Sequence, residues 1–199
     1  MTSRTRTRAT RVRRSPRRAD RGRWLVGALL TAAAVAGVLA LAFATQERST
    51  PTTGAAPPFT LPTTDGSSVS LEAMRGTPVL LYFSEGVGCD SCFAQLADIE
   101  ASASSFSKLG VRIVPIMVNG ASDVAASATT YGISTPIALD TTKAVSDSYG
   151  VLGTGMHEGL PGHSFVLVGG DGRIVWEKNF PSMYVPSAEL ARMIEAQLT

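Results

Sequence analysis

With 199 residues, 44% hydrophobic and 17% charged, the chain has the composition of a globular domain plus an appendage. The net charge of +2 averages two unlike regions: ten of the 18 Lys and Arg precede Trp24, where Asp20 is the only acid, and the other eight bases face fifteen acids. Paired carboxylates, a phosphate-binding glycine loop and a Ser-His-Asp order with a local signature are absent, which turns attention away from the chemistries they serve.

In chain order, residues 1–23 form a basic tail. Residues 24–44 follow as an apolar run with Thr31 the only plainly polar residue. As a helix this run spans roughly 30 Å, enough to cross a bilayer core. Arg17, Arg18, Arg21 and Arg23 precede it and only Arg48 follows closely. The positive-inside rule then puts the tail in the cytoplasm and the acidic remainder outside. A tail that ends at such a segment argues against a nucleic-acid partner. Ala40-Leu41-Ala42 and Ala42-Phe43-Ala44 resemble cleavage sites, but the run exceeds a cleavable core of about 7–15 residues. The expectation is an uncleaved single-pass anchor in the cell membrane. Residues 45–57, rich in Thr, Ser, Pro, Gly and Ala, read as a flexible linker.

The domain then runs over 58–199. Phe59-Thr60-Leu61 and Val69-Ser70-Leu71 read as short strands joined at Asp65-Gly66, and Leu71 to Arg75 as one helical turn. Val79 to Phe83 is continuously apolar, which predicts a strand covered on both faces. Phe93, Leu96, Ile99, Ala103 and Phe106 keep helical spacing, ended by Gly110. Val111 to Val118 is a second buried strand, with Pro115 pointing to an edge or a bulge. Ser122-Asp123 caps a helix to about Tyr131. Pro136 to Leu139 is a short strand and Thr142 to Tyr149 a short helix. After the glycine-rich loop 153–162, Ser164 to Val168 and Arg173 to Trp176 form a hairpin across Gly169-Gly170-Asp171-Gly172. Pro186-Ser187 opens a last helix with Leu190, Met193, Ile194 and Leu198 as its apolar face. Strands separated by helices predict an α/β fold with a mixed sheet.

The chemistry concentrates at Cys89-Asp90-Ser91-Cys92, which holds both cysteines of the chain. A bridge across two residues closes too small a loop to restrict the unfolded chain much, so the pair serves chemistry better than stability. Strand, glycine turn, Cys-x-x-Cys and helix is the layout of a dithiol redox site. Only a thiolate attacks, and a helix N-terminus favours negative charge, so the first cysteine is the activated one. Asp90 opposes this by like charge.

Three stretches carry a resemblance to the thioredoxin superfamily: Pro58 to Leu71, Pro78 to Cys92, and Leu160 to Val175. The chain is similar to its membrane-tethered bacterial branch, which groups alkyl-hydroperoxide-reductase/thiol-specific-antioxidant (AhpC/TSA, redoxin) domains with thiol-disulfide oxidoreductases. The resemblance implies a thioredoxin-like fold, Cys89 as attacking thiol, Cys92 as resolving thiol, and a cis proline shaping the substrate groove at Pro161, or Gly162 in its place. No cofactor or metal is implied. Gly88 stands where relatives carry Trp, and Gln95 where many carry a proton-relaying acid, which leaves Glu85 as the nearest replacement. The partners implied are protein thiols and disulfides outside the cytoplasm, with a membrane electron donor as a further candidate.

Two other functions share the fold. An antioxidant peroxidase of the peroxiredoxin type needs Pro and Thr seven and three residues before its cysteine; Tyr82 and Gly86, or Glu85 and Cys89, stand there instead. Its arginine before Phe165 is also missing. A copper-delivery module would combine the thiols with His157 or His163 and Met156. Trp176 reads as a core cover, and Met183 and Tyr184 as parts of a surface loop, with the rim of the substrate groove as the alternative place for both.

Overall fold

Val79–Phe83 is buried at every position because both faces of this strand are covered. The computed structural model describes residues 54–198. Alternate residues of the strand point to opposite faces: Leu80 and Tyr82 enter one core, and Val79, Leu81 and Phe83 the other. That division explains why the sequence shows unbroken rather than alternating apolarity.

A small hairpin, β1 (Thr60–Pro62) and β2 (Ser68–Ser70), and a 3-10 turn, Glu72–Met74, precede it. The main sheet comprises β3 (Val79–Phe83), β4 (Arg112–Met117), β5 (Ala138–Leu139), β6 (Ser164–Val168) and β7 (Ile174–Asn179), in the order β5-β4-β3-β6-β7. β3 runs parallel to β4, and β4 to β5, whereas β6 is antiparallel to both β3 and β7. The helices are α1 (Asp90–Ala101), α2 (Ala103–Lys108), α3 (Ala121–Thr130), α4 (Ala144–Ser148) and α5 (Ser187–Leu198). This is the mixed α/β arrangement the sequence predicts. One core packs Phe93, Leu96 and Ile99 of α1, Phe106 of α2, Val124 of α3 and Leu190 and Ile194 of α5 on one sheet face. The other gathers Phe59, Leu61, Leu71, Tyr149 and Val151 on the opposite face.

Several expectations shift in detail. The helix after the cysteines starts at Asp90 and is interrupted at Ser102, whose N–H turns to Asp98 O and Ile99 O; Ala103 is exposed, not on the buried face. The short polar side chains of 102–107 favour such a break, because they compete for backbone hydrogen bonds. Pro115 marks neither a sheet edge nor a bulge. Arg112 N donates to Pro78 O and Ser84 N to Ile116 O, so alternate residues of β4 address β3, while Met117 O receives Asp140 N on the other side. Pro115 therefore faces the flank before β5 begins pairing at Ile116, where no ladder donor is needed. The cap of α3 is Gly120 rather than Ser122. The linker ends earlier than residue 57: Ala56 N donates to Gly172 O and Ile174 N to Gly54 O, so residues 54–57 are tied to the β6–β7 turn. Leu198 lies exposed, while Leu190 and Ile194 carry the buried face of α5.

The basic tail, the apolar segment 24–44 and linker residues 45–53 lie outside the described residues. Among the described residues no helix is long and apolar enough to cross a membrane.

Candidate active site

β3 delivers the chain to the site. Beyond Phe83 the turn 84–88 reverses direction with Gly86 and Gly88 at positive φ, 78° and 95°. A tryptophan at position 88 would be strained there, which accounts for the glycine. Val87 N donates to Asn119 Oδ1 at 3.0 Å, and the Asn119 side chain fills the space a Cβ on Gly86 would need.

Cys89 is the N-cap of α1 and is bonded to Cys92, with Cα atoms 5.3 Å apart. The Cys92 N–H donates to Cys89 Sγ at 3.2 Å. The sulfur thus occupies the place of a capping oxygen and shares the Cys92 N–H with Cys89 O, 3.0 Å away. In the reduced protein that donor and the helix dipole favour the Cys89 thiolate. Cys92 lies one turn in, fully buried. Asp90 sends its carboxylate to the Tyr131 hydroxyl at the end of α3, and burial adds to that bond in raising the Tyr131 pKa.

Beneath the dithiol runs a buried polar chain. Tyr82 Oη donates to Cys92 O at 3.1 Å and lies 3.2 Å from His163 Nδ1. His163 Nε2 is 3.3 Å from Gln95 Oε1, which also accepts from Val185 N at 2.7 Å. Burial pushes the His163 pKa down to about 4, against the opposing field of Glu85. Burial likewise pushes Tyr82 well up, so its hydroxyl stays a neutral donor. Gln95, which stands where an acid was expected, is thus a structural clasp between α1, β6 and the segment before α5.

Glu85 is buried, and its hydrogen bonds go to the glycine-rich loop rather than to the cysteines. Oε1 accepts from Met156 N at 2.9 Å and Oε2 lies 2.8 Å from His157 Nδ1.

A profile of the AhpC/TSA family matches residues 52–177. The chain belongs to the AhpC/TSA family. Relatives in this family of oxidoreductases include a protein of Mycobacterium tuberculosis assigned as a peroxiredoxin, 31% identical over 98 residues that cover 49% of this chain and 62% of that one. Thiol-disulfide oxidoreductase ResA of Bacillus subtilis is 34% identical over 98 residues, covering 48% of this chain and 54% of ResA. The chain therefore spans little more than half the length of these curated relatives. Among solved structures, AhpC of Enterococcus faecalis superposes with a TM-score of 0.65 at 19% identity, covering 72% of this chain and 90% of that one. That likeness bears on the fold, which is thioredoxin-like.

Within this AhpC/TSA domain the groove residues differ from expectation. The peptide before Pro161 is trans, as are all the described peptides. Pro161 bridges Leu152, and Gly162 N donates to Val151 O at 2.9 Å, so loop 152–161 folds back on itself. Pro161 and Gly162 are both buried under this loop. A Cβ on Gly162 would lie 2.7 Å from Thr154 C and 2.8 Å from Gly155 N. The two histidines do not converge with the thiols. His157 pairs with Glu85 and His163 is held between Tyr82 and Gln95; among the described residues no three His, Cys, Asp or Glu side chains form a metal-binding group.

The expectation of Met183 in a surface loop is corrected, and its alternative place at the groove lies nearer the outcome. Met183 is not a surface residue but is buried against Cys89 and Cys92, with φ at 57°. Its neighbours in sequence, Pro181, Ser182 and Tyr184, are all exposed, so no periodicity marks it.

Proposed function

We propose that the chain is a thiol-disulfide oxidoreductase that exchanges the Cys89–Cys92 pair with protein thiols and disulfides. The observation that carries this reading is Cys89 Sγ at the cap of α1, bonded to Cys92 and receiving the Cys92 N–H. A substrate thiolate attacks Cys89 Sγ, the Cys89–Cys92 bond breaks, and Cys92 leaves as a thiolate. A second substrate thiolate then attacks the substrate sulfur of the mixed disulfide and frees Cys89. Two electrons pass from the substrate dithiol to the protein disulfide, and the protons released by the substrate thiols match those taken up by Cys89 and Cys92. The reverse sequence reduces a substrate disulfide. In this reading Cys89 is the attacking thiol, Cys92 resolves, and residues 24–44 anchor the domain outside the cytoplasm.

Similarity to peroxiredoxins supports a second reading, peroxide reduction at the same pair. The described arginines do not favour it. Arg112 pairs with Val79 at the start of β3, Arg75 bonds the Asp171 carbonyl in the β6–β7 turn, and Arg173 flanks that turn. All three lie at the opposite end of β3 from the cysteines. Arg192 donates to Ala188 O within α5. Among the described residues no guanidinium is thereby set to polarise a peroxide O–O bond.

The test is a Cys92→Ser chain expressed in its host and resolved without reductant. Mixed disulfides at Cys89, lost in the Cys89→Ser/Cys92→Ser chain, are expected. If none is trapped while the unaltered chain consumes hydrogen peroxide with thiol-dependent turnover, the peroxidase reading replaces this one.

A further inference from the structure

Exchange at a disulfide needs the attacking sulfur to approach along the S–S axis, and little of this disulfide is exposed to it. Cys92 has no exposure and Cys89 only 9%. The one residue clustered with them is Met183, itself 6% exposed. Met183 comes from the strap 180–186 that joins β7 to α5. The strap is fastened on both sides of the site. Phe180 N donates to His163 O at 2.8 Å. Val185 N donates to Gln95 Oε1 at 2.7 Å, and Tyr184 Oη to Asp98 Oδ2 at 3.0 Å. Ser187 then gives both its N–H and its hydroxyl to the same Asp98 oxygen. Gln95 and Asp98 are three and six residues beyond Cys92 on the same helix. The cysteine helix therefore holds its own cover in place.

The cover is held under strain. Met183 has φ at 57°, a left-handed conformation that L side chains other than Asn and Asp rarely adopt. The strap accepts that conformation and in return packs Met183 against the cysteine pair. Strained backbone of this kind persists only where surrounding contacts over-determine it, as the hydrogen bonds to α1 do here.

We propose that Met183 is the specificity-determining cover of the dithiol: the 180–186 strap moves its side chain off the sulfurs for exchange, and the thiols accepted are those of polypeptides with an apolar side chain beside the cysteine to take its place. The inference rests on the exchange reading above. Small charged thiols are disfavoured because they uncover the apolar seat of Met183 without refilling it. A polypeptide with an adjacent Leu, Met or Phe restores that burial as it binds. Val87 and Tyr184, two of the few exposed large apolar side chains among the described residues, belong to the turn before Cys89 and to the strap itself.

The experiment measures reduction of the oxidised 199-residue chain by dithiothreitol, with free cysteines alkylated at timed intervals and counted by mass. Met183→Gly removes the cover and suits the positive φ, so it should react about tenfold faster than wild type, the scale set by burying one Met side chain, with a lower melting temperature, because the lost burial outweighs the relieved strain. Met183→Leu, which keeps an apolar cover, should stay within about twofold, since such swaps preserve volume. Asp98→Asn, which weakens the latch without touching the cysteines, should also accelerate the reaction. On wild type, a dithiol peptide with Leu beside its cysteines should react about tenfold faster than one with Asp there, and Met183→Gly should erase the preference. Wild-type rates for both Met183→Gly and Asp98→Asn overturn the cover, and equal peptide rates on wild type overturn the specificity. Either result can occur while Cys92→Ser still traps protein partners, so the exchange reading is judged separately.

Discussion

The ring of His163 stands 3.2 Å from the hydroxyl of Tyr82, which itself donates to the carbonyl of Cys92 at 3.1 Å. On the other side of the ring, Gln95 Oε1 is fixed as an acceptor by Val185 N–H, so the neighbouring Nε2 must carry the proton. A neutral ring then offers only a lone pair at Nδ1. The single proton of Tyr82 has to serve both Nδ1 and the Cys92 carbonyl. An imidazolium would complete every bond in the chain, but burial opposes its charge. The polar groups around the ring are Tyr82 of β3, Glu85 of the turn after it and Gln95 of α1, with Phe165 edge-on beside them; of these only Glu85 carries a charge that favours the cation.

The first prediction follows from that conflict. The folded pKa of His163 is lowered to about 4 from 6.5, with burial as the main cause. Between those values the unfolded chain binds a proton that the native one refuses, so stability rises with pH there and falls as pH drops from about 6.5 toward about 4. At pH 5 the loss relative to pH 7 should be roughly 2 kcal/mol. Urea unfolding at the two pH values checks it. A His163→Gln chain should lose this part of the slope, and an unchanged slope would show that His163 does not carry it.

How much of this was legible in the sequence depends on how each residue announces itself. The strand β3 is a continuous apolar run and β6 is one after Ser164, and the structure buries both throughout. Cys89 and Cys92 are identified by their spacing together with the strand and glycine turn before them and the helix after them, because i and i+3 of a helix start share a face. Glu85 was picked out by its place before the cysteines, yet its carboxylate turns to a loop 71 residues later. His163 read as a residue before a strand, and its burial depends on Gln95 and Tyr82 arriving from two other elements. Met183 had no local mark, because its contact with the disulfide is made by the path of the strap. Long-range closure of polar groups is what the one-dimensional pattern does not contain.

The second prediction concerns the reduced dithiol. Cys89 Sγ accepts the Cys92 N–H at the start of α1, whereas the Cys92 sulfur is fully buried. Cys89 should therefore titrate below the ~8.5 of a free thiol, and Cys92 above it. The pH profile of iodoacetamide alkylation, read by peptide mass, distinguishes them. Faster alkylation of Cys92 at neutral pH would reverse the assignment of attacking and resolving thiols.

Glu85 supplies the third. Its two oxygens hold Met156 N and His157 Nδ1, and these bonds tie the loop 152–161 to the turn before Cys89. Glu85→Ala leaves those partners without their acceptor and should cost about 1–3 kcal/mol, the usual range for a lost bond to a buried charged group. Limited proteolysis should then cut first within 153–160, where most residues are exposed. His157→Ala, which leaves Met156 N bonded to the carboxylate, should have the smaller effect because the His157 side chain is 63% exposed.

Gly162 gives the last and most local prediction. Its backbone lies against the glycine-rich loop so closely that an added Cβ would meet Thr154 C at 2.7 Å and Gly155 N at 2.8 Å. These are backbone atoms, so no rotamer change relieves the clash. The neighbouring bonds are also fixed: Gly162 N donates to Val151 O, and Asn179 Nδ2 from β7 donates to Thr154 O at 2.7 Å. Gly162→Ala must therefore push loop 152–161 outward or shift β6, at a cost of about 1–3 kcal/mol. If the loop moves, the bonds from Met156 and His157 to Glu85 lengthen with it, and hydrogen exchange at Met156 N–H should quicken while β3 and β6 stay protected. A Gly162→Ala chain with wild-type stability and unchanged exchange at Met156 would mean that the loop does not pack on this glycine in solution.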